Sequence, residues 1–543
     1  MDNPKSSKRL GCNVDDITSK AIGDFGRWQL KVTVLMAMLK MPNAWYQLNI
    51  IFMAPPQDFW CEKPELFSQY SDEEWRKICT PLVEERPCFI FDPDMLSLNP
   101  RMSKALMPLV PCTKFVYNTT IFERTITSDW DLVCSKRIFI FIIQCTLMWG
   151  VLLGGIIFGV IADKYGRKIP LMAGIVIQSV ASYVVSILPW FWAWLGVWFI
   201  LALASGGIGI VSFVICMEAV GGKWRTSIPV LYQMPFGLGS TVMAILAYWL
   251  RDWRKLEFAL ATLSSLYIMY WFWVPESPRW LLATGQTKKA LEVLKVAAKE
   301  NNTEQNLNDT QDLLPKCEGI KEKGPGFIAF FKSKNMRLKT ILLSLNWFFT
   351  GMAFYTFSQY LGLIADNIFF AVALSGVISL PGGILCVLII SKTGRKKTLW
   401  LFMVVTGACF IGIKLVPRYL FPNDWPRLLF AGIGFAGLGG MVPALYLYTG
   451  ELFPTVGRNA GVGGVTIFAR IAAMISPAVV GLDELVPDLP LIIVAITSIA
   501  QIFLIIPLPE TKGYPLPDTL EQAEQFSNKK YKKQNQEVNE ISE

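Results

Sequence analysis

Twelve apolar runs of about twenty residues each, separated by short charged turns, account for most of this 543-residue chain. A helix of that length matches the hydrocarbon core of a bilayer, roughly 30 Å thick. Lipid offers no partners for backbone N–H and C=O groups, so each run has to satisfy its own as an α-helix. Only 17% of the residues are charged, against about a quarter in a soluble chain. The expected fold class is an all-α membrane protein. The runs fall at about 28–54, 138–162, 169–188, 190–219, 226–250 and 255–274, and again at about 338–362, 367–391, 397–416, 427–450, 459–482 and 489–508. The first residues, Met1 to Arg27, are polar, and the first run is too long for a signal-peptide h-region.

The turns carry a repeat. Gly159-Val160-Ile161-Ala162-Asp163-Lys164-Tyr165-Gly166-Arg167-Lys168 follows the second run, and Ser391-Lys392-Thr393-Gly394-Arg395-Lys396-Lys397 follows the eighth. Their Lys and Arg content places both on the cytoplasmic face. Glu218 and Arg225 stand seven apart, as do Glu451 and Arg458. Pro275-Glu276-Ser277 ends the first half and Pro509-Glu510-Thr511 the second. The offsets between these landmarks are 228 (Gly166 to Gly394), 233 (Glu218 to Glu451) and 234 (Pro275 to Pro509). Three landmarks in one order at nearly one offset indicate duplication. The expected organisation is two pseudo-symmetric six-helix bundles, 1–274 and 338–509, joined by a cytoplasmic linker, 275–337, and followed by a tail, 510–543. Twelve spans put both termini in the cytoplasm.

Between the first two spans lies a long polar insertion, 55–137, holding Cys61, Cys79, Cys88, Cys112 and Cys134 and the glycosylation sequon at Asn118. Clustered cysteines with a sequon point to an extracellular loop stapled by disulfides, with one thiol of the five left over. The sequons at Asn301 and Asn308 fall in the linker and are expected to be unmodified. Within the linker, Leu291, Leu294, Val296 and Ala297 lie at helical spacing in a basic stretch, as in a short amphipathic surface helix.

The formal charge of +9 resides in turns between apolar runs, which fits a lipid bilayer as partner and not nucleic acid. The chain has no histidine, which removes histidine triads, histidine metal sites and histidine proton relays. No P-loop is present. No enzyme activity, cofactor or metal is expected. The charges inside apolar runs that bear most on function are Lys40, beside Pro42 in the first, and Arg470, about halfway along the eleventh. A charge at that depth has to face a wet cavity or a partner.

The turn Gly159-x-x-Ala162-Asp163-Lys164-x-Gly166-Arg167-Lys168 resembles the signature loop of the major facilitator superfamily. Thr127-Ser128-Asp129-Trp130-Asp131-Leu132-Val133-Cys134, Pro275-Glu276-Ser277-Pro278-Arg279-Trp280, Glu451-Leu452-Phe453-Pro454-Thr455-x-x-Arg458-Asn459 and Pro509-Glu510-Thr511-Lys512-Gly513 resemble one branch of it, the organic cation, carnitine and organic anion carriers of solute carrier family 22. The resemblance implies a central cavity, alternating access, and gating by Asp163, Arg167, Glu218, Arg225, Glu451 and Arg458. In that family, anion and carnitine-type members tend to carry Arg where this chain has Arg470, and cation carriers an acid. Pro42-Asn43 and Tyr446-Leu447-Tyr448-Thr449 resemble the carnitine type. The implied substrate residues are Arg470, Lys40, Asn43, Tyr232, Gln233, Trp347, Phe348, Tyr355 and Tyr448. Departures are Trp198, where the family usually has Arg, Ser379, where it often has an acid, and Gly383, where anion carriers have Lys. The expectation is a plasma-membrane secondary transporter of small organic ions, an amine or a zwitterion such as a carnitine- or β-amino-acid-like solute. The alternatives are an organic anion exchanger and a non-transporting receptor-like member. A coupling or exchanged ion has no legible sodium-site spacing.

Overall fold

The computed structural model describes residues 14–64, 67–71, 74–75, 88–92, 108–222, 224–305, 327–364, 367–417, 420–421, 424–454, 458–512, 517 and 520–525. Nine helices among them are long and apolar enough to cross a membrane. Three further segments complete twelve spans. Span 1 is broken into Arg27–Met38, Lys40–Leu48 and Ile50–Met53. Span 6 runs as Trp253–Ser265 continued by the short turns Leu266–Met269 and Tyr270–Trp273. Span 12, Leu489–Ile505, is a shorter apolar helix. Spans 2 to 4 are Ile138–Tyr165, Lys168–Ile187 and Phe191–Ala219. Span 5 divides at Tyr232 to Met234 into Trp224–Leu231 and Pro235–Leu250. Spans 7 to 11 are Lys334–Ile364, Ile368–Thr393, Arg395–Leu415, Trp425–Leu452 and Arg458–Gly481.

The duplication is visible in the packing. A Cβ on Gly154 of span 2 would lie 1.9 Å from the carbonyl oxygen of Leu203 on span 4. A Cβ on Gly382 of span 8 would lie 2.1 Å from that of Ala436 on span 10. Only glycine permits backbones so close. The two glycines are 228 residues apart and the two carbonyls 233, the offsets read from the turns.

One end of the molecule carries the insertion between spans 1 and 2 (the loop end); the other carries the basic turns (the turn end). In the insertion, β1 (Phe59–Cys61) pairs antiparallel with β4 (Phe115–Tyr117), and β2 (Phe89–Phe91) with β3 (Leu109–Pro111). Disulfides join Cys61 to Cys112 and Cys88 to Cys134; Cys79 lies outside the described residues. A core cluster at the loop end brings Trp45, Phe52, Leu147 and Trp194 of the first half against Tyr355, Phe369, Ala473 and Met474 of the second. The Phe369 ring alone meets Phe52, Phe122 and Tyr248. The halves are therefore packed together at the loop end.

In the linker, helices Pro278–Ala283 and Thr287–Asn301 follow span 6. The second buries Ala290, Leu294, Ala297 and Ala298, while Val296, expected on the apolar face, is exposed. Asn301 fastens this helix to the start of span 1. Its Oδ1 accepts from the Trp28 amide at 3.0 Å, and its Nδ2 donates to the Ile22 carbonyl and the Gln29 side chain at 2.9 and 2.7 Å. Asn308 lies outside the described residues.

Candidate functional site

Between the halves, at mid-height, lies a cavity of about 150 Å³. That volume is room for several waters or a small solute. Spans 1, 5, 7, 8, 10 and 11 line it. The floor is largely apolar and aromatic: Phe236, Trp347, Phe354, Tyr355, Phe435 and Tyr446 all face it. The polar lining is Asn43, Gln47, Gln233, Ser240, Thr350, Ser379 and Thr466, and the charged lining is Lys40 and Arg470. No Asp or Glu is among the lining residues.

Arg470 is the centre of a chain of hydrogen bonds that crosses between the halves. Its Nη1 donates to the Tyr355 hydroxyl at 2.7 Å and to Gln47 Oε1 at 3.1 Å. The Tyr355 hydroxyl donates to the same Oε1 at 2.9 Å. Gln47 Nε2 then donates to Asn43 Oδ1, which also accepts from Ser205 at 2.9 Å. Every one of these partners is neutral. Among the described residues Arg470 makes no ion pair, so the internal salt bridge that would account for it structurally is not there. Lys40 lies with its Nζ 4.7 Å above the Tyr232 ring. A guanidinium stays ionised in such a place, and a bidentate carboxylate is its natural complement.

The nine substrate-site expectations divide by helix geometry. Arg470, Lys40, Asn43, Gln233, Trp347 and Tyr355 line the cavity. Tyr232 is fully buried beneath Lys40, its hydroxyl 2.6 Å from that of Ser212. Phe348 does not line the cavity and packs on Phe349 instead. Tyr448 also points away: its hydroxyl donates to the Pro509 carbonyl at 2.6 Å. Tyr446, two residues earlier and so about 200° round the helix, takes the cavity position and stacks edge-on to Trp347 at 4.4 Å. Gln47 was also missed. It lies four residues after Asn43, on the same helical face, and that spacing was the available signal. Of the three departures, Ser379 and Gly383 line the cavity, while Trp198 is buried against Trp194.

At the turn end each half builds the same latch. In the first, Arg167 donates to Glu218 at 3.0 Å and to Asp163, and the Glu276 carboxylate accepts from the Arg167 amide at 2.8 Å and the Lys168 amide at 3.2 Å. In the second, Arg395 donates to Glu451 at 2.8 Å, and Glu510 accepts from the Arg395 and Lys396 amides at 2.9 and 3.0 Å. Each glutamate thus caps the N-terminus of a span, where unpaired amides and the helix dipole favour an anion. Gly166 and Gly394 make this possible with φ of 104° and 97°, in the region that disfavours a side chain. These bonds all lie inside one half. Arg225 donates to the Val220 carbonyl at 3.1 Å. Arg395 holds Glu451. Arg458 begins span 11. Sequence reasoning thus missed Arg395, Glu276 and Glu510 as latch residues, although all three stood in the repeated motifs.

Residues 110–526 match the family described as Sugar (and other) transporter. An organic cation transporter protein of Drosophila melanogaster is 29% identical over 95% of both chains. Solute carrier family 22 member 2 of Rattus norvegicus is 28% identical over 96% of this chain and 97% of its own. Member 6 of Pseudopleuronectes americanus is 31% identical over 75% of this chain and 73% of its own. The chain belongs to solute carrier family 22, a branch of the major facilitator superfamily. The xylose transporter XylE from E. coli, in an inward-open conformation, superposes with a TM-score of 0.61 at 16% identity, over 92% of this chain and 99% of that one, a likeness of fold. Like its family, the chain is a multi-pass membrane transporter and not an enzyme. The cavity carries two cationic side chains, Lys40 and Arg470, and no Asp or Glu among its lining residues.

Proposed function

We propose that the protein is a plasma-membrane carrier of small zwitterions that bear a carboxylate and an ammonium group, of the carnitine or β-amino-acid kind. The observation that carries this reading is Arg470 in the cavity wall with only neutral hydrogen-bond partners, Tyr355 and Gln47. A substrate carboxylate completes that guanidinium. Relatives are named for organic cations, and the rings of Trp347, Phe354, Tyr355 and Tyr446 offer π faces to an ammonium. A zwitterion uses both features. The loop end faces the outside and the turn end the cytoplasm, with both termini inside. Transport proceeds by alternating access, one half rocking against the other about the cavity. Because the latch bonds stay within each half, they keep each bundle rigid at the turn end, and separation of the halves opens the cavity. Asp163, Arg167, Glu218, Arg395 and Glu451 serve gating in that sense, while Arg225 and Arg458 join the gating set by the family resemblance alone.

A second reading, an organic anion exchanger, is favoured by one observation: Lys40 joins Arg470 in the cavity without a balancing acid. Uptake of labelled carnitine, a β-amino acid, a quaternary ammonium and an aromatic carboxylate into cells expressing the chain separates them. Selective entry of the zwitterions supports the proposal. Selective entry of the aromatic carboxylate makes the anion reading the correct one. Entry of the quaternary ammonium alone overturns both, and entry of none with the chain at the surface turns to the receptor-like alternative.

A further inference from the structure

Glu257, on span 6, is fully buried and lies outside the cavity. It stands just over one turn inside the loop end of Trp253–Ser265. Its Oε1 accepts from Ser182 of span 3 at 3.0 Å and its Oε2 from Asn49 of span 1 at 3.0 Å. Tyr46 of span 1, fully buried, lies in the same cluster beside Ser182 and Ser264. Both donors to the carboxylate are neutral.

No cation faces Glu257 among the described residues. On its own helix, Arg254 is engaged by Asp129 at 3.1 Å and Lys255 by Glu123 at 3.2 Å. On span 3, Tyr183 donates to Thr262, and Lys168 lies at the far end over Trp271. On span 1, Lys40 is turned to Tyr232 and the cavity. The Pro235–Leu250 helix of span 5 holds no Asp, Glu, Lys or Arg, and its Tyr248 packs on Phe369. Tyr267, just beyond, donates to the Met38 carbonyl. An isolated buried carboxylate is expensive. A glutamine would keep the same neighbours without the charge, so packing alone does not call for an acid here.

The site is furnished for two protonation states. Asn49 Nδ2 and Ser182 satisfy the ionised carboxylate. Asn49 Oδ1 is buried and without a partner among the described residues. Rotation of that amide presents it as the acceptor a carboxylic O–H needs. Asn49 also sits at the break between Lys40–Leu48 and Ile50–Met53. Two residues earlier on the same span, Gln47 holds Arg470 and Tyr355 of the other half. Span 1 thus touches Glu257 through one face and the cavity through another.

We infer that Glu257 is a proton-binding site through which this carrier couples a proton to its organic substrate. A proton from water on one side adds to a carboxylate oxygen of Glu257 and leaves to water on the other side, so each cycle moves one proton and one positive charge through the site. The coupling rests on the transport reading of the cavity; the protonation of Glu257 does not.

The test uses the purified full chain in proteoliposomes, with labelled carnitine and a β-amino acid as probes. The readout is the ratio of uptake with an imposed proton gradient to uptake without one. In the wild type the ratio departs from one; in Glu257→Gln it returns to one; in Glu257→Asp, which keeps the acid, it departs again. A wild-type ratio of one, or a Glu257→Gln ratio equal to a responsive wild type, overturns the proposal. Should neither probe enter wild-type vesicles, the failure belongs to the substrate reading, and infrared difference spectra recorded over a pH titration decide the site. A titrating carboxylic-acid C=O band that is lost in Glu257→Gln sustains it, and wild-type and variant spectra without that difference overturn it.

Discussion

Arg470 of span 11 and Gln47 of span 1 meet across the interface between the two halves, Nη1 to Oε1 at 3.1 Å. The bond fixes a charged group from one half by a neutral group from the other, in the wall of the cavity. A hydrogen bond from a charged donor contributes about 1.5–3 kcal/mol, enough to position the guanidinium without neutralising it. Gln47→Leu is therefore expected to raise the KM for a carboxylated substrate by about tenfold or more, since 1.4 kcal/mol is tenfold. Its surface expression should match wild type. An unchanged KM removes Gln47 from the positioning role.

Helix geometry separates Tyr446 from Tyr448. Tyr446→Ala takes a π face from the cavity and should weaken uptake of an ammonium-bearing probe by about 0.5–2 kcal/mol, with Tyr446→Phe close to wild type. Tyr448→Phe removes only the bond to the Pro509 carbonyl and should leave substrate KM unaltered while lowering thermal stability in detergent. Reversal of these two phenotypes would place the wrong face toward the cavity.

The latches are nearly buried ion pairs: the Arg395 and Glu451 side chains are 12% and 11% exposed. Removing one partner leaves an uncompensated charge, worth about 3–5 kcal/mol. Arg395→Ala should lower the melting temperature of the purified protein more than Lys392→Ala, an exposed neighbour. Exchanging the pair, Arg395→Glu with Glu451→Arg, should recover part of the loss. No loss in Arg395→Ala contradicts the assignment of that residue to the latch.

Topology is tested by two sequons. Asn118→Gln is expected to remove the glycan shift on a gel. Asn301→Gln is expected to leave mobility unchanged but to loosen the linker helix, because its amide holds Trp28, Ile22 and Gln29. A glycan at Asn301 would invert the orientation.

The spans and the duplication were legible because both are properties of the chain itself: apolar runs long enough for a bilayer, and landmarks at one offset. What escaped was tertiary. Spacing along the chain does not show which cation reaches Glu218, at the end of span 4. Glu218 takes Arg167, 51 residues distant. The Tyr446-Leu447-Tyr448 segment carried the right chemistry, yet adjacent and alternate residues on a helix face different sides, so Tyr448 and Phe348 fell outside the cavity. Glu257 follows Arg254 and Lys255 in a stretch that reads as the polar end of a span. Only the approach of Ser182 and Asn49 makes it interior.

The most direct test compares a zwitterion with its methyl ester, two solutes matched except for the carboxylate, in uptake by wild type and Arg470→Ala. Wild type should prefer the zwitterion by at least about tenfold, in line with the 2–5 kcal/mol of a buried charge pair, and Arg470→Ala should lose that preference with expression intact. Wild-type uptake of the ester equal to or above that of the zwitterion would contradict carboxylate recognition at Arg470.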